Sequence, residues 1–166
     1  MTAIELRAET TADLPGVRAV NLAAFPTADE ADLVDALRAD PAWIPGLSCV
    51  ALDGADVVAH ALLTRCHVGD DPALALAPVA VRPDRQRQGL GQRVVRAALD
   101  AARRRGESGV IVLGHPGYYP RFGFTRASTH GIGVAFEVPD EALMALSLDG
   151  RTLPRGTVRY AAPFGV

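Results

Sequence analysis

Residues 77–93 read Ala77-Pro-Val-Ala-Val-Arg-Pro-Asp-Arg-Gln-Arg-Gln-Gly-Leu-Gly-Gln-Arg93. An apolar run ends at Val81, a polar turn follows, and Gly89 and Gly91 open a long amphipathic stretch. The first turn of a helix leaves several backbone N–H groups without partners and carries the positive end of the helix dipole. Glycines at that point let a ligand come close to the backbone. The spacing therefore predicts a phosphate cradle where a buried strand hands over to a helix. Charge agrees with it. Eight arginines and two acids lie between Arg82 and Arg105, whereas the other nine arginines face seventeen acids. A basic segment in an acidic remainder suits a small polyanion better than a nucleic-acid track.

Upstream, Ala73 to Arg82 is nearly all apolar, as expected of a strand covered on both faces. Pro78 inside it cannot donate a ladder hydrogen bond, so the strand is expected to bulge or stand open there. Ser48 to Leu52 and Asp56 to Val68 flank Asp53-Gly54, a dipeptide suited to a tight hairpin turn. Further back, Ile4 to Ala8 alternates like a short strand. Thr10, Thr11 and Asp13 offer oxygens that start a helix, whose apolar stripe is Leu14, Val17, Val20 and Leu22 to Phe25. A second helix is expected from Asp29 to Ala39.

Downstream, Gly89 to Arg105 reads as a helix with Leu90, Val94, Ala98, Ala101 and Ala102 inward and Gly106 as its stop. Val110 to Leu113 is a short strand. Gly114 to Phe124 is dense in glycine, proline and aromatics. Beyond it, strand is expected around Gly131 to Val138, one or two helical turns from Pro139 through Leu146, and a last strand from Thr157 to Tyr160. The order is that of a mixed α/β protein, and 166 residues suit a single domain over 1–166.

Composition narrows the function. An apolar fraction of 49% excludes a disordered chain. Net charge −2 argues against a general nucleic-acid binder. All seventeen basic residues are arginine, which removes a Walker-A loop and any lysine Schiff base. Cys49 and Cys66 make no disulfide framework, and with His60, His67 and His130 they show no metal-ligand spacing, so no metal is expected. Met1 to Pro15 lacks the apolar core of a secretory signal, and the longest apolar run, Ala73 to Val81, falls short of the roughly 20 residues that span a bilayer. A soluble cytoplasmic protein with no membrane partner is expected.

Three readings compete for the two glycines. A dinucleotide fingerprint needs a third glycine directly after the first strand, whereas Gly89-Leu-Gly-Gln-Arg-Val lacks it and comes late. An ordinary helix start with a solvated arginine face is the plain alternative. The third is a resemblance. Gln86-Arg87-Gln88-Gly89-Leu90-Gly91 resembles the Q/R-x-x-G-x-G/A signature of the GNAT superfamily of acyl-CoA N-acyltransferases. Pro78 to Asp84 is similar to that family's strand and turn, and Tyr118-Tyr119-Pro120-Arg121-Phe122-Gly123-Phe124 resembles its late Y-x-x-x-G-F motif. The likeness runs from about Ile4 to Phe124. The tail resembles that of a branch of acetyltransferases with a Y-Y-x-R-F-G-F-type motif.

The resemblance implies a GNAT fold: a mixed, mostly antiparallel central sheet splayed open at the acyl-CoA cleft and flanked by helices. It implies acetyl-CoA as co-substrate and a small-molecule or peptide amine as acceptor. The pyrophosphate then falls on Gln86, Arg87, Gln88, Gly89, Leu90, Gly91, Gln92 and Arg93, and pantetheine beside Val79, Ala80 and Val81. Tyr119 corresponds to the family's tyrosine general acid; packing among the neighbouring aromatics is its alternative reading. The family's usual Asn- and Ala-bearing helix before the tyrosine is replaced by Gly114-His115-Pro116-Gly117. His115 follows the strand expected to splay, and its titration range suits proton transfer; a loop histidine held by a carbonyl is the alternative. Glu30 is a further base candidate, set against an ordinary acid in the first turn of a helix. Acceptor contacts are expected from the Phe25 to Asp32 loop and the tail after Phe124, and Asp29, Glu30 and Asp32 in that loop suggest an acidic mouth for a cationic primary amine. A non-catalytic acyl-CoA-binding regulatory module is the competing function, and a homodimer is left open.

Overall fold

The computed structural model describes residues 3–166; Met1 and Thr2, the start of the polar N-terminal stretch considered above, lie outside the described residues. β1 (Ile4–Ala8) leads through a 3-10 turn into α1 (Leu14–Ala24), and Phe25-Pro26 separates it from α2 (Asp29–Arg38). At the entry to α1 the Thr10 N–H donates to Asp13 Oδ2 at 2.7 Å, and Arg7 holds the same carboxylate at 2.6 Å. β2 (Ser48–Asp53) and β3 (Asp56–Val68) form the expected hairpin, with Gly54 at φ 62° where only a residue without Cβ turns freely. β4 (Asp71–Val81) returns antiparallel to β3. α3 (Leu90–Arg104) crosses over the sheet to β5 (Gly109–Leu113).

The sheet order is β1-β2-β3-β4-β5 and then β8 (Leu143–Ser147) and β6 (Thr125–Arg126). All these pairs are antiparallel except β4–β5. β9 (Gly156–Arg159) pairs with the end of β3 and, in parallel, with β7 (Ile132–Gly133). α3 buries Leu90, Val94, Val95, Ala98, Leu99 and Ala102 against one face of the sheet. α1 and α2 bury Val17, Val20, Val34 and Leu37 against the other. Fully burying a Val or Leu side chain contributes about 1.5–3 kcal/mol, so both layers are firmly seated.

Two features of β4 position the site. Ala61 faces Val79 and Leu63 faces Leu76, so the single residue Leu62 stands opposite both Ala77 and Pro78. That is the bulge expected at Pro78. It resets the alternation of side chains along the strand. Leu74, Leu76, Val79 and Val81 face the α3 side, whereas Ala73 and Ala75 face away from it. The second feature is the pairing with β5, which is confined to Leu74–Val110 and Ala75–Ile111. Beyond these two pairs the strands part, and the expected splay is present.

Two sequence expectations give way. Helical turns were expected from Pro139 through Leu146; the chain makes one 3-10 turn, Asp140–Ala142, and then runs as β8, paired with all five residues of β5. Leu, Met and Ala favour helix locally, but the free edge of β5 offers a complete ladder and a core on each side. Met144 and Leu146 enter the α3-side core while Leu143 and Ala145 enter the other. Strand was also expected over Gly131 to Val138, and only Ile132–Gly133 pairs, because β9 meets this segment at two residues.

Candidate active site

α3 begins at a glycine in the left-handed region, Gly89 at φ 79°, which a side chain would strain. Arg87, two residues earlier, adopts φ 65° despite its Cβ. Such backbone persists only where the surroundings hold it, and it concentrates at ligand sites. Gln86 Nε2 ties this turn back to Val81 O at 3.3 Å. Arg93 N–H donates to Gly89 O at 3.1 Å and so closes the first helical bond, which leaves the amides before it turned outward at the helix start. Arg82 pairs with Asp84 and Arg85 with Asp53, each at 2.7 Å. Among the described residues Arg87 and Arg93 form no ion pair, so their charge remains available to an anion.

The edge of β4 faces this turn. Arg82 N–H donates to Val58 O at 2.9 Å, on the β3 side. Backbone groups alternate along a strand, so the N–H groups of Val81 and Val79 face the opposite side, where β5 has parted. The wall across from them is the aromatic turn. Tyr119 packs its ring on Gly114, where a Cβ would lie 2.5 Å from Cε2; glycine is required there for the approach. Tyr118 and Phe124 meet the Tyr119 ring edge-on at 5.1 and 5.9 Å. Burial pushes the Tyr119 phenol up to about 12, and the neighbouring Tyr118 adds to the shift. The phenol therefore stays protonated in neutral solution.

These three parts enclose one cleft of about 480 Å³. Of the residues expected from the sequence, Val79, Val81, Gln86, Arg87, Gly89, Leu90, Gly91, Gln92 and Tyr119 line it. Ala80 turns its methyl into the core on the α1–α2 side. Gln88 and Arg93 are exposed and lie outside the lining. His115 is exposed and also lies outside it; its carbonyl accepts the Tyr118 N–H at 3.0 Å. Glu30 does not line the cleft. It is half-buried, with Oε2 fully enclosed and without a hydrogen-bond partner among the described residues. The acidic cluster is partly neutralised, because Asp32 and Asp35 both bind Arg18, at 3.0 and 2.7 Å.

Sequence reasoning passed over Tyr118, Arg121 and Ala24 as cleft residues, whereas Phe25 opens the loop from which acceptor contacts are expected. Arg121 lies over the Tyr118 ring at 4.3 Å and its Nε donates to Tyr118 O at 2.7 Å. Their adjacency to Tyr119 in the aromatic motif was the available signal. Ala24 carried none, since only packing brings the end of α1 to this cleft.

The pattern of the Acetyltransferase (GNAT) family matches residues 14–124. The chain belongs to that family, and its fold is the GNAT fold. It is 36% identical to the uncharacterised N-acetyltransferase YjhQ of Escherichia coli K12, over 91% of this chain and 88% of that one. It is 33% identical to another uncharacterised N-acetyltransferase of that strain, YhbS, over 96% and 97%. Among solved structures, E. coli YhbS in complex with CoA superposes with a TM-score of 0.90 at 28% identity, covering 100% of this chain and 94% of that one. A GNAT acetyltransferase from Brucella melitensis in complex with acetyl-CoA gives 0.82 at 30% identity, covering 99% of each. Among the described residues no helix is long and apolar enough to cross a membrane.

Proposed function

We propose that the chain is an acetyl-CoA-dependent N-acetyltransferase that moves the acetyl group to a primary amine by direct attack on the thioester. The observation that carries this reading is one cleft lined by the helix start at Gly89–Gly91, the β4 edge at Val79 and Val81, and Tyr119. Each part suits one portion of acetyl-CoA. The outward amides and Arg87 suit the pyrophosphate. The unpaired β4 edge suits the amide groups of pantetheine, which pair with it as a short strand would. A β4 amide pointing into the opening suits the carbonyl oxygen, whose charge grows as the amine attacks.

The step is an addition followed by an elimination. The amine nitrogen bonds to the carbonyl carbon, the C–S bond breaks, and its electron pair leaves on sulfur. Tyr119 gives its proton to that sulfur, and the proton lost by the attacking nitrogen balances the step. A thiol pKa near 8.5 makes the thiolate a tolerable leaving group, so a weak acid is sufficient. Glu30 and His115, the two bases named from the sequence, both lie outside the cleft lining; of the two, Glu30 keeps a buried carboxylate oxygen without a hydrogen-bond partner among the described residues and is the better placed to accept a proton. His115 is exposed and outside the cleft.

The decisive experiment combines calorimetry of acetyl-CoA binding with an assay of CoA release in the presence of an amine panel. Binding with amine-dependent release supports the proposal. Binding without release for any amine would assign a non-catalytic acyl-CoA-binding module instead.

A further inference from the structure

On the face of the sheet away from α3 lies a second cavity of about 300 Å³. Ala75, Ala77, Ile111 and Leu113 line one side of it. They are the residues of β4 and β5 that bracket the point where the two strands part after the Ala75–Ile111 pair. Because the bulge at Ala77-Pro78 resets the alternation, the same strand shows Ala75 and Ala77 to this cavity and Val79 and Val81 to the cleft. The two hollows therefore meet the same opening from opposite faces. Leu33, Phe136, Tyr160, Phe164 and Val166 form the remaining wall, with the Tyr160 ring 6.3 Å from Phe136 and 5.4 Å from Phe164.

We infer that this cavity is the acceptor pocket and that it takes a primary amine carried on an apolar body of about the size of an aromatic ring. The inference rests on the acetyl-transfer reading above. Its lining contains no Asp, Glu, Arg, Lys or His, and its one polar side chain is Tyr160. A polyamine or aminoglycoside would bury several cations among side chains that carry no charge, at a high desolvation cost. An apolar body gains from the same surroundings. Leu113 is 44% exposed although it is large and apolar, which leaves an apolar surface at the opening for a ligand to cover.

The chemistry favours the same occupant. A primary amine is an ammonium ion in neutral water and attacks only when neutral. Desolvation disfavours the charged form, so an apolar pocket shifts the amine toward the nucleophile. Glu30 precedes Leu33 by three residues on α2, and its carboxylate lies outside the lining of the cavity. The acidic mouth expected from Asp29, Glu30 and Asp32 thus reduces to that group and the exposed Asp29, since Asp32 is bound to Arg18.

The test uses the full chain, acetyl-CoA, and methylamine, isobutylamine, phenethylamine, tryptamine and spermidine as acceptors. We expect kcat/KM to rise about 10-fold or more from methylamine to phenethylamine, with spermidine no better than methylamine. Leu113→Asn and Phe164→Ala should each erase most of that difference while the acetyl-CoA Kd by calorimetry stays unchanged. Equal use of all five amines, a preference for spermidine, or variants that keep the discrimination would overturn the inference and leave acetyl transfer standing. A preference for hexanoyl-CoA that the same variants abolish, without any effect on amine choice, would assign the cavity to the acyl chain and also overturn it. Failure to bind acetyl-CoA would remove both readings together.

Discussion

The hydroxyl of Tyr118 lies over Gly91, so that a methyl group at Gly91 would stand 3.0 Å from Tyr118 Oη and 3.4 Å from Val81 Cγ2. The start of α3, the end of β4 and the aromatic turn thus meet at a residue where even a methyl group is tightly placed. Gly91→Ala is expected to weaken acetyl-CoA binding modestly, since the tyrosine can yield a few tenths of an ångström. Gly91→Asp adds bulk and a negative charge where we place the pyrophosphate, and should weaken binding by about 100-fold or more, some 3 kcal/mol. Calorimetry on the two variants checks the order, and equal affinities would remove the phosphate from this turn.

Tyr119→Phe should lower kcat by about 10²–10⁴ with the acetyl-CoA Kd unchanged. Because burial pushes the phenol up to about 12, no falling limb from this group should appear in the pH–rate profile of the parent below about pH 10. If the variant keeps full activity, the ring serves only to pack against Gly114 and its aromatic neighbours.

Glu30→Gln keeps the shape of the side chain and removes a charge from an enclosed oxygen that has no partner. Its stability to urea should stay close to that of the parent, because the substitution is isosteric. Acetyl transfer should fall most at pH values below the amine's own pKa and least above it. A uniform loss across pH would speak for packing and against a base.

His60 is buried with Asn21 Nδ2 3.1 Å from its Nδ1 and Ser48 Oγ 2.8 Å from its Nε2. Asn21 Nδ2 can only donate, so Nδ1 accepts and Nε2 carries the proton toward Ser48. Ser48 in turn donates to Glu9, which also binds Arg38. Burial, helped by the nearby Arg38 charge, holds the imidazole down to about 3 against 6.5 when free. The folded pKa is the lower one, so the stability from this group is full above pH 6.5 and is lost progressively as pH falls from there through 3. Urea midpoints measured from pH 7 to 4 should decline. His60→Gln should flatten that slope, and Ser48→Ala should cost about 1–3 kcal/mol by leaving its partners unpaired.

Asp13 adds an acid sensitivity of the same sign at lower pH. The Arg7 guanidinium, aided by the Thr10 N–H, holds its carboxyl at about 2 against 3.8. Its contribution is full above pH 3.8 and disappears as pH falls through 2. Asp13→Asn should therefore be less stable than the parent at pH 6, by about 1–3 kcal/mol for charge-assisted hydrogen bonds. The gap between the two should narrow as the pH is lowered toward 2.

Where local chemistry dictates the outcome, the residues could be read directly. α3 is found as Leu90–Arg104 against an expected 89–105, because Gly89, the apolar stripe and Gly106 are local signals. The bulge at Pro78 follows from a missing N–H, whatever the surrounding fold. The strand at Leu143–Ser147 could not be read that way. A Leu-Met-Ala-Leu run is helical by propensity, and only the vacant edge of β5 makes it a strand. Similarly, Ala80 belongs by its motif with Val79 and Val81, but the pleat turns its side chain into the opposite core.

By itself, then, the sequence determined the mixed α/β order of elements, the glycine-led helix start after a broken strand, the aromatic turn and hence the family. Each of these rests on interactions between residues a few positions apart. The tertiary structure decided which residues share a cavity: Tyr118 with Gly91, Leu33 with Phe136 and Phe164, and Asp32 with Arg18 rather than with an acceptor. These partners lie 14 to 131 positions apart along the chain. Whether such groups meet depends on packing and strand register, which the burial of the whole core selects and no short window of sequence encodes.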